Sequence, residues 1–149
     1  MKTKTRKFLI ATHGALAGGF LSSLELIAGA SDAVFILQAY LDESKPLEEE
    51  LDSLFRQTGE DEEWVVFSDL LGGSITNQLV RAASRFGAGT GTNIHIVAGF
   101  NLPLLIEVVL SDPETPVEAV LEQAIARARE QLVYVNKLIT LKNNESENA

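Results

Sequence analysis

Four short apolar runs, at residues 8–12, 34–40, 64–68 and 93–98, alternate along the chain with stretches whose apolar residues recur at helical spacing. Strands separated by helices pair in parallel, because each crossover lays its helix on a face of the sheet. The alternation therefore predicts an α/β fold, doubly wound around a mostly parallel four-stranded sheet. Leu16, Phe20, Leu24 and Ile27 mark the first helix, with Gly29 as its stop. Pro46 is expected as the first residue of the second, whose buried stripe is Leu47, Leu51, Leu54 and Phe55. A third helix is expected over 74–86, and a fourth opens at Leu102-Pro103. Thr115-Pro116-Val117-Glu118 reads as a capping box, with proline at the first helical position, ahead of a long helix to about Leu132. Residues 133–141 are rich in β-formers and have no α/β slot. They read as a fifth strand that pairs at a sheet edge, in the same chain or in a partner subunit, which makes a homodimer an expectation. Residues 142–149 read as a flexible tail on a single domain spanning 1–149.

With 149 residues, 46% of them hydrophobic, the chain can bury one sizeable core. Lys and Arg number 12 against 21 Asp and Glu, a net charge of −9, so no overall basic footprint for nucleic acid exists. Most of the excess lies in 42–63, where ten acids meet only Lys45 and Arg56. The chain has no cysteine, which removes disulfides, thiol nucleophiles and cysteine-rich zinc sites. Only His13 and His95 remain as histidines, so no metal site and no cofactor are expected. Lys2, Lys4, Arg6 and Lys7 precede an uncharged stretch over 8–24, which resembles a leader peptide. Thr12-His13-Gly14, Gly18-Gly19 and Ser22-Ser23 interrupt that stretch, so it reads as a first strand and helix of a cytoplasmic protein.

In open α/β sheets ligands bind beyond the carboxyl ends of the strands. Strand one ends in Ala11-Thr12-His13-Gly14, and strand three in Ser68-Asp69-Leu70-Leu71-Gly72-Gly73-Ser74. If these strands are neighbours, as at a flavodoxin-like switch point, the two loops meet. A neutral imidazole carries one N–H and one free lone pair. A carboxylate that accepts the N–H fixes the tautomer and turns the other nitrogen outward as a nucleophile. Asp69 is the candidate to orient His13. Gly72, Gly73 and Ser74 open a helix whose free N–H groups suit a phosphoryl dianion, and Ser74 either caps that helix or gives its hydroxyl to phosphate. Singly these are weak signals; their strength is the combination in corresponding loops. Asn101 stands at a third strand end, either as a helix cap or as part of the pocket. His95 lies within strand four, where a structural role is expected. Arg81 and Arg85 share a helix face that reads as solvated surface. No G-x-x-x-x-G-K-[ST] sequence supports a P-loop.

Residues 8–14, the loop from Asp69 to Ser74 with Asn77, and Ala98-Gly99-Phe100-Asn101-Leu102-Pro103-Leu104-Leu105 together resemble the mannose-family EIIA domain of the bacterial sugar phosphotransferase system. Three linked motifs in order, over nearly the whole chain, carry the resemblance. One departure is visible: the family commonly has proline after the serine of the glycine loop, whereas Ile75 and Thr76 follow Ser74 here. The resemblance implies that His13 accepts a phosphoryl group on Nε2 from the phosphocarrier HPr and passes it to an EIIB protein. EIIB in turn phosphorylates a sugar entering through the membrane permease, which EIIA serves only indirectly. Asp69 would orient the histidine, Gly72, Gly73 and Ser74 would bind the phosphate, and Thr12, Leu71 and Asn101 would shape the pocket. The family's exchange of an edge strand between two subunits would account for 133–141. With no EIIB sequence after Ala149, the expected EIIB is a separate chain. Two other readings stay open. One is a related phosphocarrier domain that feeds dihydroxyacetone kinase; the other is a non-enzymatic ligand-binding or regulatory module.

Overall fold

Side chains along β1 (Thr5–His13) alternate between two buried layers, Phe8 and Ile10 on one face and Leu9 and Ala11 on the other. A strand covered on both faces needs this unbroken apolar run. The computed structural model describes residues 4–29, 31–86 and 93–147. β2 (Val34–Ala39), β3 (Glu62–Ser68) and β4 (Ile94–Ala98) join β1 in a parallel sheet of order β2-β1-β3-β4. The first layer packs α1 (Leu16–Ala28), α4 (Leu102–Val109) and α5 (Val117–Glu130) against Phe8, Ile10, Val65 and Phe67. The second packs α2 (Leu47–Phe55) and α3 (Ser74–Phe86) against Leu9, Val66 and Ile94. This is the doubly wound α/β fold expected from the alternation.

Several local expectations change. In α1, Leu24 is buried and Phe20 packs on Phe100, but Leu16 and Ile27 are exposed and Ala17 takes the inner position. The reason lies at the start of the helix. Thr12 Oγ1 accepts from the Ala17 N–H at 2.8 Å, and Gly18 lies so close to β2 that a Cβ there would sit 2.8 Å from Gln38 Oε1. These contacts fix which side of α1 meets the sheet. Gly29 ends the helix as expected, its N–H bonded to Glu25 O. Pro46 and Pro116 occupy the cap positions of α2 and α5 rather than the first helical turn, and neither helix has a side-chain cap. Thr115 thus stands one residue too early to close its capping box. Its carbonyl instead accepts from Arg6 Nη2 at 2.7 Å, beside the buried Arg6–Glu63 pair.

The expected fifth strand is corrected. Val133 and Tyr134 lead into α6 (Val135–Glu147), which also takes in residues 142–147 of the expected tail. A strand needs a sheet edge to satisfy its backbone, whereas a helix satisfies it locally. The turn is closed by N–H bonds from Lys137 and Leu138 to Tyr134 O, and Thr140 Oγ1 adds a bond to Asn136 O. The price of the helix is exposure: Tyr134, Val135, Leu138, Ile139 and Leu141 all stand in solvent.

Candidate functional site

Because β1 and β3 are parallel neighbours, their carboxyl ends leave the sheet at one edge. Ala11 pairs with Ser68 in register, so His13 and Asp69 emerge side by side where the winding reverses direction. The first strand-to-helix loop and the third therefore meet.

Asp69 Oδ2 accepts two hydrogen bonds from His13, one from its backbone N–H at 2.9 Å and one from ring Nδ1 at 3.0 Å. The backbone bond fixes the carboxylate to the end of β1; the ring bond places the Nδ1 proton and leaves Nε2 with its lone pair. The His13 side chain is 42% exposed against 11% for Asp69, so the imidazole is open to solvent while the carboxylate beneath it is largely covered. Burial pushes the Asp69 carboxyl upward, but the two bonds from His13 outweigh it. The net effect holds Asp69 below its ordinary value of 3.8. Its other oxygen, Oδ1, is buried with no hydrogen-bond partner among the described residues.

The glycine loop reaches the same ring. A Cβ on Gly73 would stand 3.8 Å from His13 Cε1, the carbon between the two ring nitrogens, so Gly73 packs against the imidazole. Gly72 has a φ of 78°, a left-handed conformation that side chains rarely adopt, and it turns the chain into α3. The loop is clamped from below. Thr76 Oγ1 donates to Leu70 O at 2.6 Å and accepts from the buried Ser68 hydroxyl at 2.6 Å. Ile75 and Thr76, which replace the family's proline pattern, are both buried and act as the anchor. α3 begins at Ser74, directly after the glycine that packs on the ring, and the free amides of a first helical turn suit an anion.

The other expected residues are placed differently. Thr12 is fully buried and caps α1 through its bond to Ala17, away from solvent. Leu71 is exposed and, with Asn101, lines a cleft of about 560 Å³ beside β4 that does not include His13 or Asp69. Asn101 caps α4, Oδ1 accepting from the Leu104 N–H at 3.0 Å, while Nδ2 donates to Ala128 O at 2.9 Å and ties α4 to α5. His95 lies within β4 opposite Val65, two strands from His13. Arg85 pairs with Asp52 at 2.6 Å, and Glu48 also lies nearby. Part of the acidic excess of 42–63 is thereby balanced, with Glu62 on Lys7 and Glu63 on Arg6 as further pairs. The sequence reading missed Tyr40. Its ring centroid lies 5.6 Å from that of His13, and its hydroxyl is 2.6 Å from Ser74 Oγ. Its position at the end of β2, on the same edge as His13, was the available signal.

A carboxylate-bonded imidazole, a glycine turn and the start of a helix meet at one edge of a doubly wound α/β sheet, beside an exposed histidine ring. The family model for the phosphotransferase system fructose IIA component, the mannose-type EIIA family, matches residues 7–125, and the chain belongs to that family. A Klebsiella pneumoniae structure described as a phosphoenolpyruvate-dependent sugar phosphotransferase system permease is 32% identical. The match covers 93% of this chain and 97% of that one, with a TM-score of 0.83. The phosphotransferase system component EIIA of Streptococcus agalactiae is 29% identical over 89% and 99% of the two chains, with a TM-score of 0.75. The mannose/sorbose-specific IIA subunit of Enterococcus faecalis, at 24% identity and a TM-score of 0.71 over 87% and 93%, shares the fold. No curated protein matches the chain.

The lowered pKa of Asp69 has a consequence for stability. Above 3.8 the carboxyl is ionised in both folded and unfolded chains, and its bonds to His13 stabilise the fold in full. As the pH falls below 3.8 the unfolded chain takes up the proton first, and the stabilisation is lost as the pH passes through the lower folded value. Urea midpoints measured across this range should fall more steeply for the native protein than for Asp69→Asn. Parallel curves would remove Asp69 from the acid response.

Proposed function

We propose that this chain carries a phosphoryl group on His13 Nε2, accepting it from HPr and passing it to an EIIB protein during sugar uptake. The observation that carries the proposal is the 3.0 Å contact of Nδ1 with Asp69 Oδ2, which leaves Nε2 as the exposed nucleophile. In the accepting step the Nε2 lone pair forms a bond to phosphorus, and the phosphorus–nitrogen bond of the donor phosphohistidine breaks. The electron pair returns to the donor imidazole. No proton leaves His13, because Nδ1 keeps its hydrogen against Asp69. The ring gains positive character as the bond forms, and the carboxylate stabilises it. Gly72, Gly73 and Ser74 supply the backbone and hydroxyl donors for the phosphoryl oxygens. Transfer to EIIB is the same step reversed, with an EIIB nitrogen as acceptor.

Membership in the EIIA family favours this reading over the dihydroxyacetone kinase and regulatory alternatives. No helix among the described residues is long and apolar enough to cross a membrane, in keeping with a cytoplasmic relay that meets the permease only through EIIB. We also propose a homodimer, supported by the exposed apolar residues of α6 and by Leu132, 90% exposed before it.

Incubation with phosphoenolpyruvate, enzyme I and HPr should label the native protein with an acid-labile, base-stable phosphate and leave His13→Ala unlabelled. Label on His13→Ala would overturn the assignment. Light scattering should show a dimer that becomes monomeric when residues 133–149 are removed; a native monomer would exclude the dimer.

A further inference from the structure

The geometry points to Tyr40 as a positioning residue that turns the Ser74 hydroxyl hydrogen toward a phosphoryl group on His13; this rests on the phosphocarrier reading above. Tyr40 is the one non-glycine residue with positive φ, 68°, among the described residues. That left-handed conformation is costly for an aromatic side chain. Burial does not compensate, because Tyr40 is 55% exposed. What the conformation achieves is reach. β2 and β3 are not neighbours; β1 runs between them. From the end of β2 the Tyr40 side chain passes the end of β1, lies beside the His13 ring, and meets Ser74 at the start of α3.

The two hydroxyls are 2.6 Å apart, so one donates to the other. The phenol is the more acidic of the two and is the favoured donor. Ser74 Oγ then accepts, and its own hydrogen is released for a second acceptor. Accepting a bond also polarises the serine O–H and strengthens what it donates. Gly73 lies against the ring carbon Cε1 and Tyr40 lies beside the ring, so the Ser74 hydroxyl bonded to Tyr40 borders the imidazole that would carry the phosphoryl group. Tyr40 touches neither phosphorus nor nitrogen in this scheme. It acts through Ser74, and its ring walls one side of the imidazole.

Tyr40→Phe keeps the ring and removes only the relay. Transfer from phosphorylated HPr should slow about five- to tenfold in Tyr40→Phe, the scale of one hydrogen bond. Ser74→Ala should slow it at least as much, and the double variant should be no slower than Ser74→Ala alone. The phosphorus NMR shift of the phosphohistidine should move in both single variants, which a purely structural tyrosine would not cause. A native rate in Tyr40→Phe would overturn the proposal, as would a Tyr40→Phe effect that persists undiminished in the Ser74→Ala background. A native protein that accepts no phosphate would overturn the His13 reading and this role with it, whereas label on native protein with a full-rate Tyr40→Phe would remove only the tyrosine.

Discussion

One carboxylate oxygen, Oδ2 of Asp69, accepts both the backbone N–H and the ring Nδ1–H of His13, and the site depends on that shared acceptor. The backbone bond places the aspartate at a set height above the sheet; the ring bond then sets the rotation of the imidazole and its tautomer together. With a single acceptor for both donors, the imidazole cannot turn without giving up a bond to a group that is itself held in place. The charge on Asp69 is kept in a nearly buried position by the two donors, which is why its carboxyl ionises more readily than an ordinary one despite the desolvation.

The acceptor can work in this way only because of the sheet beneath it. β1 and β3 lie side by side and parallel, so their loops share an edge, and the apolar residues of β1 and β3 are buried on both faces. Slipping β3 by one residue against β1 would move Asp69 relative to His13 and would turn the apolar residues of β3 to the opposite layers. The packing that stabilises the fold therefore also fixes the distance that matters for chemistry. The Ser68–Thr76–Leu70 bonds extend this control into the glycine loop, whose own residues have little side chain with which to hold themselves.

The four sheet strands, the helices α1 to α5 and the pairing of His13 with Asp69 were legible because each follows from a local pattern, given one assumption about strand order. Periodicity alone could not say that β1 and β3 are neighbours; the switch-point rule offered it as a condition, which the sheet order meets. Tyr40 was not legible, since an aromatic residue closing a β-rich run looks like part of the strand, and its left-handed φ is not encoded by a glycine or asparagine. Residues 133–141 misled for the opposite reason. Their β-branched and aromatic side chains favour a strand only where an edge is available, and along one chain the backbone closes on itself as α6 instead. Asn101 carried two readings that the structure resolves toward capping, with a second bond to the end of α5 that no local pattern could announce. The net charge of −9 proved a poor guide to the site. Much of it belongs to α2 and its flanks, where Arg6, Lys7 and Arg85 balance part of it.

In the proposed relay Asp69 reserves Nδ1 and so directs phosphate to Nε2 of His13. Proton–nitrogen correlation NMR of the ring in the phosphorylated protein tests it most directly. Phosphorus should couple to Nε2, with a proton retained on Nδ1. Phosphorus on Nδ1, or on any residue other than His13, would contradict it.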